Sequence, residues 1–372
     1  MKFKLKKSEH LSKFQLLNKI EKLKLATREN KAVNGDSLIF KSIDEKLYIY
    51  ISNDISSAYV YLCDLEDEGI DFAIDSNVFT NAFSNFPVDE VQFSFLHEDN
   101  LLIFGNKKTR VSLKTSKLNS VIYNFEELFY TNNDDLWNDL SSSNLQNALK
   151  YSSFSCAPDY DEYPYTSIMF FMKNGKFNTQ SSDKHRISIY GDNYNGEASY
   201  LLSKNQAELT SLFIPKNSGK YCIHKGKLYL LWECGGFSTS IDNNTYQSVY
   251  NTFAQFFNNS EHITEFTIDK HDVLKSIKFI SSISNTHNFY MKGSSTELIF
   301  SSSESEKGAV IDKIQLSEEI LNFEASYLVS HFTKALDLLS ADQVKLSFYD
   351  YNGYTICIVN DMNYNHLMFP ME

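Results

Sequence analysis

The chain has 372 residues, of which 42% are hydrophobic, and its formal net charge at pH 7 is −12. This length predicts roughly two or three domains with sizeable cores, and the 29 phenylalanines and 23 tyrosines favour strands and exclude a disordered chain. Apolar runs are too short for a membrane span, and no apolar segment of a secretion signal follows the basic N-terminus, so we expect a cytoplasmic protein.

The first predicted domain, residues 1–130, contains two copies of one order of elements: strand, helix, three strands. The first copy comprises a strand at Lys2–Leu5, a helix at Ser8–Lys22 and strands at Ser37–Ser42, Lys46–Ser52 and Ser57–Leu62. The second comprises a strand at Ile70–Ile74, a helix at Ser76–Phe86 and strands at Glu90–His97, Asn100–Phe104 and Arg110–Lys114.

The second predicted domain, residues 131–258, follows a polar, acidic stretch at Asn124–Asp139 that is typical of a linker. Its helices are predicted at Ser143–Tyr151 and, after a capping box formed by Ser203 and Gln206, up to Phe213. Its strands are predicted at Ser167–Met172, Phe177–Ser181, Arg186–Gly191, Gly219–His224, Lys227–Glu233 and Gly236–Asp242.

The third predicted domain, residues 259–372, begins with a strand at Ile263–Ile268 and an amphipathic helix. On that helix His271, Lys275, Lys278 and Ser282 share one face, and Val273, Ile277 and Ile280 lie almost opposite. Strands are then predicted at Thr286–Met291, Thr296–Ser301 and Gly308–Leu316.

The last predicted unit is a helix at Glu324–Leu339 followed by a hairpin. Its apolar face would consist of Leu328, Phe332, Ala335 and Leu339, and its polar face of Tyr327, Ser330, Lys334 and Asp337. Asn352 and Gly353 supply the two positive-φ positions of the turn between strands Val344–Tyr349 and Thr355–Asn360.

Six such units predict an α+β fold of three similar domains, with antiparallel sheets and the helices gathered on one side. Three domains in a row leave sheet edges at both ends of the chain. A head-to-tail contact between the first domain of one chain and the third of another would cover them, and it closes into a ring or continues as a filament.

Particular segments resemble the bacterial β-type DNA polymerase sliding clamp, and the resemblance runs from end to end. They are Met1-Lys2-Phe3 leading into Glu9-His10-Leu11, Ser182-Asp183-Lys184-His185-Arg186-Ile187 beside the family's T-D-G-H-R-L, Ser326-Tyr327, and Leu367-Met368-Phe369-Pro370-Met371 beside its closing M-P-M. Lys184 stands where the family usually has glycine.

The resemblance implies a homodimeric ring of six like domains, with helices lining a hole for double-stranded DNA and sheets outside. Such a ring is not an enzyme and needs no cofactor or metal; it tethers a DNA polymerase to its template. Basic side chains facing phosphates would give a sequence-independent interaction. The candidates are Lys13, Lys19, Arg28, Lys150, Lys204, Lys275, Lys278 and Lys334. Isolated lysines are also typical of a solvated helix face, and Ser76–Phe86 has none.

The family also binds short peptides of the polymerase and the clamp loader in a pocket between its second and third domains. Carried over by position, the pocket residues are Tyr165, Ser182, His185, Arg186, Ile187, Leu367 and Phe369. The family's D-G-x-F-P-D-Y stretch is replaced by Asp242-Asn243-Asn244-Thr245-Tyr246, so peptide preference can differ. Leu367 and Phe369 also fit an ordinary core strand.

Other functions have weaker signals. Asp183, His185 and Ser181 or Ser182 suggest a nucleophile and its base, but neighbours on a strand point to opposite faces. Asp159, Asp161 and Glu162 lack the spacing of a calcium loop, and no phosphate-binding glycine motif occurs. The five cysteines, Cys63, Cys156, Cys222, Cys234 and Cys357, form no C-x-x-C pair, which predicts reduced, buried thiols.

The alternative of a different class is a structural ring or tube protein of a virus. The basic stripe on the third-domain helix favours the clamp, because DNA in a hole requires it and a shell does not. Few Pro and Gly with many Asn, Ser, Lys, Phe and Tyr suggest an AT-rich genome, such as that of a phage, and hence the host cytoplasm as location.

Overall fold

The computed structural model describes residues 2–22, 37–53, 55–66, 69–117, 136–157, 165–173, 176–191, 199–243, 256, 258–284, 287–302, 310–361 and 363–371. Within these ranges the helices are α1 (Lys7–Lys22), α2 (Ser76–Ser84), α3 (Ser142–Ser153), α4 (Lys204–Phe213), α5 (Lys270–Ser284) and α6 (Val329–Leu338). None of them is long and apolar enough to cross a membrane.

The strands of the first half are β1 (Lys2–Lys6), β2 (Ser37–Ile43), β3 (Lys46–Ser52), β4 (Ser56–Asp64), β5 (Asp71–Asp75), β6 (Glu90–Leu96), β7 (Leu101–Gly105), β8 (Arg110–Lys114), β9 (Asn138–Leu140), β10 (Ser167–Lys173), β11 (Lys176–Ser182) and β12 (Arg186–Tyr190). Those of the second half are β13 (Tyr200–Ser203), β14 (Gly219–His224), β15 (Lys227–Trp232), β16 (Gly235–Ser240), β17 (Glu261–Asp269), β18 (Asn288–Ser301), β19 (Ile311–Leu328), β20 (Gln343–Tyr351), β21 (Tyr354–Asp361) and β22 (Tyr364–Met368).

The chain divides into two compact units. Unit 1 comprises Met1–Leu145 and Asn205–Asp242, and unit 2 comprises Gln146–Lys204 and Asn243–Glu372. The middle third of the chain is therefore shared between them. The division into three domains at residues 130 and 258 stays a prediction.

Unit 1 contains two sheets. One has the strand order β1-β6-β7-β8, and the other has the order β5-β2-β3-β4-β16-β15-β14-β9. Helices α1 and α2 pack against each other over an aromatic core, in which the Phe79 ring lies 5.1 Å from that of Phe14 and 5.2 Å from that of Phe40. All three side chains are completely buried.

Unit 2 contains an eight-stranded sheet of order β13-β10-β11-β12-β22-β21-β20-β17 and the pair β18-β19. Helices α5 and α6 pack together, and Phe332 of α6 is buried against Phe289 and Tyr327. Every strand pair in the described residues is antiparallel, which confirms the predicted α+β class.

A lysine at the start of a helix makes the same connection in both units. The Lys7 amine of α1 donates to the carbonyl of Phe86, just past α2, at 2.8 Å. The Lys270 amine of α5 donates to the carbonyl of Leu339, the C-terminal cap residue of α6, at 2.9 Å. The Lys7 and Lys270 backbone N–H groups donate to the carbonyls of Asp89 and Asp342. A positive charge at a helix C-terminus satisfies carbonyls that lack helical partners. These matched bonds support the internal repeat where residue identity does not.

The predicted last helix is wrong at its start. Residues 324–328 belong to β19, and α6 begins at Val329. Tyr327, predicted on the polar face, is only 1% exposed, and its hydroxyl donates to the carbonyl of Thr355. Alternate residues of this segment point inward at strand spacing, and Asn288 to Gly293 pair with it. Cross-strand pairing therefore overrides the helical periodicity of the segment.

Other expectations also need correction. The strands predicted at 286–291 and 296–301 form the single strand β18, and the strand predicted to end at Leu316 continues through β19. Asn138 and Asp139, placed in the linker, belong to β9; residues 124–135 lie outside the described ranges. All five cysteines are free, but Cys234 is exposed and Cys63 half-buried, so the prediction of buried thiols fails for these two.

Candidate functional site

Strands β12 and β22 lie side by side in unit 2, with Ile187 directly opposite Leu367. The side of this pair on which Ile187 and Leu367 lie is called the apolar face here. Its buried members are Ile187, Ile189, Phe256, Ile356, Ile358 and Leu367, and Tyr349, Tyr351 and Phe369 pack against them while remaining partly exposed.

The accessible part of the apolar face is aromatic. The Phe256 ring lies 5.4 Å from that of Tyr351 and 6.4 Å from that of Phe369. Leu367 is 0% exposed and Ile187 3%, so they form the buried floor of this face. An apolar side chain of a partner could be buried against Tyr349, Tyr351 and Phe369.

A tight turn at residues 183–185 borders the apolar face. One Asp183 carboxylate oxygen accepts the backbone N–H groups of His185 and Arg186 at 3.2 and 3.1 Å, and the other accepts Arg186 Nε at 2.7 Å. The His185 carbonyl accepts the backbone N–H of Phe369 at 3.1 Å. The turn is therefore tied to the chain segment that carries Phe369.

Lys184 adopts φ +75°, in the left-handed region that favours glycine. Glycine adopts this conformation at little steric cost, which accounts for the glycine that the resembled T-D-G-H-R-L segment has at the position of Lys184. Lys184 adopts this conformation although it has a side chain. Its backbone N–H donates to Ser182 Oγ at 3.1 Å. Its amine lies 5.0 Å from the centre of the Tyr165 ring. The lysine thus brings a positive charge to the edge of the apolar face.

The opposite face of the β12–β22 pair, called the polar face here, carries Arg186, Ser188 and His366. Ser188 Oγ lies 2.8 Å from His366 Nδ1 and 2.7 Å from Ser155 Oγ, and all three side chains are buried. The Arg186 guanidinium carbon lies 4.0 Å from the centre of the Phe154 ring, and that ring lies 4.8 Å from the His366 ring.

Two histidines near Arg186 are kept neutral by burial. Burial lowers the pKa of His366 well below its ordinary value, and the nearby Arg186 charge adds to this effect. Burial, followed by the Arg186 charge, lowers the pKa of His331 in α6 to about 4. At neutral pH Arg186 therefore carries the positive charge of the polar face.

The structure brings most of the predicted peptide-binding residues together. Register places Ser182, Ile187 and Leu367 on the apolar face, with Phe369 packed against it. His185 is exposed on the turn, and Tyr165 lies beside Lys184. Arg186 is separated from this group, because neighbouring residues of a strand point to opposite faces.

Sequence reasoning missed Phe256, Tyr349, Tyr351 and Phe154. Tyr349 ends the predicted strand Val344–Tyr349, and Tyr351 follows two residues later, just beyond it; this alternate spacing is the one signal that could have placed them on a common face. Phe256 and Phe154 are distant in sequence from the residues they touch, so no local pattern identifies them.

The predicted DNA-contacting residues differ in exposure. Lys19, Lys150, Lys275, Lys278 and Lys334 are exposed on their helices. Lys13 and Lys204 are half-buried, and the Lys13 amine donates to the Tyr61 carbonyl at 3.2 Å. Arg28 lies outside the described residues.

The surrounding helix surfaces are mainly neutral and polar. Exposed positions of α1 to α4 include Ser12, Gln15, Asn77, Asn81, Ser143, Gln146, Asn147 and Asn205. The α5–α6 pair carries three exposed lysines, whereas the α1–α2 pair carries Lys19 alone among its described exposed side chains. Val273, Ile277 and Ile280 are buried and Lys275 and Lys278 are exposed, which confirms the two predicted faces of α5.

The serines near His185 have other partners. Ser182 Oγ donates to the Arg186 carbonyl, and Ser181 Oγ donates to the Ser152 carbonyl. Within the described residues no three His, Cys, Asp or Glu side chains are placed to hold a metal ion. Asp159, Asp161 and Glu162 lie outside those residues.

Comparison with solved structures gives matches over the whole chain. The DNA polymerase sliding clamp from Bacillus subtilis is 13% identical with a TM-score of 0.79, covering 100% of this chain and 99% of that one. The DNA polymerase III β subunit from Thermotoga maritima is 13% identical with a TM-score of 0.80 and the same coverage. The fold is that of the bacterial DNA polymerase III β sliding clamps.

A further clamp, the DNA polymerase III subunit β from Pseudomonas aeruginosa bound to griselimycin, is 12% identical with a TM-score of 0.81 and covers 100% of this chain and 99% of that one. No protein-family model matches the sequence, and no curated protein matches it either. The clamp fold is therefore retained here with little residue identity.

Proposed function

We propose that this protein is a sliding clamp: a ring that encircles double-stranded DNA and tethers a DNA polymerase to it. The observation that carries the proposal is the end-to-end clamp fold together with an apolar face at the position where the resemblance implies a peptide pocket. Nothing in this function requires bond chemistry. The tether depends on topology, so the DNA contact has to be weak enough to permit sliding.

The helix surfaces support DNA as the molecule inside the ring. Lys275, Lys278 and Lys334 provide positive charge on the α5–α6 pair, and amide and hydroxyl side chains cover much of the other exposed helix surface. Phosphates attract lysines irrespective of sequence, whereas neutral polar groups exchange hydrogen bonds with water at little cost. Such a surface favours loose contacts.

A head-to-tail homodimer would close the ring. Strand β8 is an edge strand of its sheet in unit 1. Its Val111 and Leu113 pair with Phe104 and Leu102 of β7 and lie on the same side of the sheet. Phe104 and Leu102 are fully buried, whereas Val111 and Leu113 are half-exposed. In unit 2, Phe279 and Ile283 in the second half of α5 are 49% and 39% exposed. Two incomplete apolar edges of this kind become buried when copies pair.

Charge also supports that pairing. Exposed Lys107, Lys108, Arg110 and Lys114 lie on the β7–β8 hairpin, and no acidic residue occurs between 105 and 117. The segment of β19 from 317 to 324 carries exposed Glu318, Glu319 and Glu324 and no basic residue. Opposite charges on the two edges would steer a head-to-tail encounter.

The partners at the apolar face would be peptides of the polymerase and of the clamp loader. Tyr349, Tyr351 and Phe369 offer apolar contact, while Lys184 and His185 border it with polar groups. Apolar anchors surrounded by a polar rim are typical of peptide recognition.

Negative-stain electron microscopy of the purified protein tests the ring. We expect closed rings of two copies with a central hole, and a Val111→Asp, Leu113→Asp variant that yields single crescents. Filaments or larger rings would instead favour the viral assembly protein, whose subunits share this need to cover their edges.

Griselimycin binding, measured by calorimetry, tests the apolar face. We expect Phe369→Ser to weaken binding at least tenfold, because it removes an accessible ring at the edge of the buried cluster. Removal of residues 367–372 is a poor test, because β22 lies inside the sheet between β12 and β21. Leu96→Ser, which changes an exposed apolar side chain on β6 of unit 1, outside the cluster, is the control.

A further inference from the structure

A line of contacts crosses the β12–β22 pair from its polar to its apolar face. The His366 ring is fixed by Ser188 and packs against the Phe154 ring at 4.8 Å, and that ring supports the Arg186 guanidinium at 4.0 Å. Each step is a direct contact between side chains of unit 2.

The line continues through the turn. Arg186 Nε donates to Asp183 Oδ2 at 2.7 Å, and Asp183 Oδ1 accepts the backbone N–H of His185 at 3.2 Å. The His185 carbonyl then accepts the N–H of Phe369 at 3.1 Å. The turn conformation is thus connected to a ring of the apolar face through a carboxylate whose orientation depends on Arg186.

We propose that Phe154 and His366 are positioning residues for the partner-peptide site, which they never touch. They act by holding Arg186, whose ion pair with Asp183 sets the turn at 183–185 and, through it, the edge of the apolar face. That the apolar face binds a peptide rests on the proposed function. That Phe154 and His366 hold Arg186 rests on the contacts given above.

Arg186 needs this support because, within the described residues, Asp183 is the one ion-pair partner of its side chain. Its side chain is 12% exposed, and its buried Nη1 atom has no hydrogen-bond partner within the described part of the chain. A buried guanidinium with one ion pair depends strongly on the ring beneath it, since a cation over an aromatic face is stabilised electrostatically. Without the ring, Arg186 can turn towards solvent and take Asp183 with it.

The turn itself stores strain that makes this support necessary. Lys184 has φ +75°, a conformation that is less favourable for a residue with a side chain than for glycine. A relaxed turn would release this strain and move His185. The Asp183 hydrogen bonds therefore have to be maintained against the local backbone preference.

A double-mutant cycle with griselimycin as the probe tests the proposal. We expect Phe154→Leu to weaken binding about fivefold, the loss of roughly one partly buried cation–π contact. In an Arg186→Met background the same substitution should change binding less than about twofold, because the group that Phe154 positions is already gone. Phe154→Tyr should retain wild-type affinity. Equal effects in both backgrounds would mean that Phe154 is merely a packing residue and would overturn the proposal.

Limited trypsin digestion gives a second measurement that needs no bound probe. We expect Phe154→Leu and His366→Leu to accelerate cleavage after Lys184 several-fold, while cleavage after Lys107 on the exposed β7–β8 hairpin stays constant as an internal reference. Unchanged cleavage after Lys184 would overturn the positioning role. If griselimycin fails to bind the wild-type protein but cleavage responds as expected, the positioning stands and the proposed peptide site fails.

Discussion

The α1–α2 pair of unit 1 and the α5–α6 pair of unit 2 have the same construction but different surfaces. In both, a lysine at the start of the first helix donates to a carbonyl at the end of the second. The cores differ, since aromatic rings fill the first pair and the second combines Phe332 with Val273 and Ile277. The exposed faces differ as well, with Lys19 alone in the first and three lysines in the second.

This difference shows which features the repeat depends on. Bonds to backbone carbonyls depend on the path of the chain and can persist while side chains change. Core composition can vary as long as volume and pattern are kept, and exposed side chains can vary more freely. Loss of Lys7 from the first pair of helices and of Lys270 from the second should therefore lower stability in a similar way, whereas changes to exposed side chains should affect the two pairs differently.

The largest effect is expected from the cores. Phe79→Ala should lower the free energy of unfolding by about 4 kcal/mol, and Phe332→Ala by about 3 kcal/mol, because both rings are 0% exposed but Phe79 has more aromatic neighbours. Urea denaturation followed by circular dichroism measures both. Val78→Ala, at a side chain that is 51% exposed on α2, should change stability by less than about 0.5 kcal/mol. Equal costs for all three would refute this account of the cores.

Acid should lower the free energy of unfolding through His331, which lies in α6. Its folded-state pKa is about 4, below the ordinary value of 6.5, so between these pH values the unfolded chain binds a proton that the folded chain does not. Stability should therefore be complete well above pH 6.5 and fall as pH decreases to 4, by about 2 kcal/mol once solvent screening of the half-buried ring is allowed for. The groups acting on His331 are Arg186, Asp183, His185 and Lys334.

Melting temperatures at pH 7 and pH 5 measure this effect. His331→Gln should reduce the pH dependence, whereas His271→Gln, at an exposed position of α5, should leave it unchanged. A His331→Gln protein with the wild-type pH profile would show that other groups cause the acid sensitivity.

Loss of Lys7 or Lys270 tests the shared construction. Lys270→Met should cost about 1.5 kcal/mol and Lys7→Met about 1 kcal/mol, since each leaves carbonyls unsatisfied and Lys270 is the more buried. Lys4→Met, which removes an exposed ion pair with Glu90, is the control with almost no cost. Denaturation midpoints decide between these outcomes. If Lys7→Met or Lys270→Met costs as little stability as Lys4→Met, the lysine–carbonyl hydrogen bond does not stabilise that pair of helices.

The smallest effect concerns DNA and should distinguish the two surfaces. Lys275→Glu with Lys278→Glu should weaken binding to a short duplex about fivefold or more and reduce the slope of log affinity against log salt by about 2. Lys19→Glu should reduce that slope by at most about 1, because Lys19 is the one exposed lysine in the described part of the α1–α2 pair. Fluorescence anisotropy over a salt series measures the slope, and an unchanged melting temperature shows that the fold is retained. Equal slopes for the two variants would mean that the DNA contact is spread evenly.

Local periodicity was sufficient to predict α5, the hairpin turn at Asn352 and Gly353 with φ values of 55° and 86°, and the order of most strands. These features depend on neighbours in sequence, through helical spacing or turn chemistry. The end of β19 was misassigned because its residues satisfy both helical and strand periodicity, and pairing with β18 decides between them.

The sequence by itself thus determined the α+β class, most of the antiparallel hairpins and strand β12 of the candidate site, and the Asp-x-His-Arg and Phe-Pro-Met segments pointed to the clamp fold. Only the tertiary structure decided that Ile187 and Leu367 share a face with Phe256, and that Arg186 lies on the opposite face over Phe154. The reason is physical: residues far apart in sequence meet through sheet register and side-chain packing, and a single chain's local pattern contains neither.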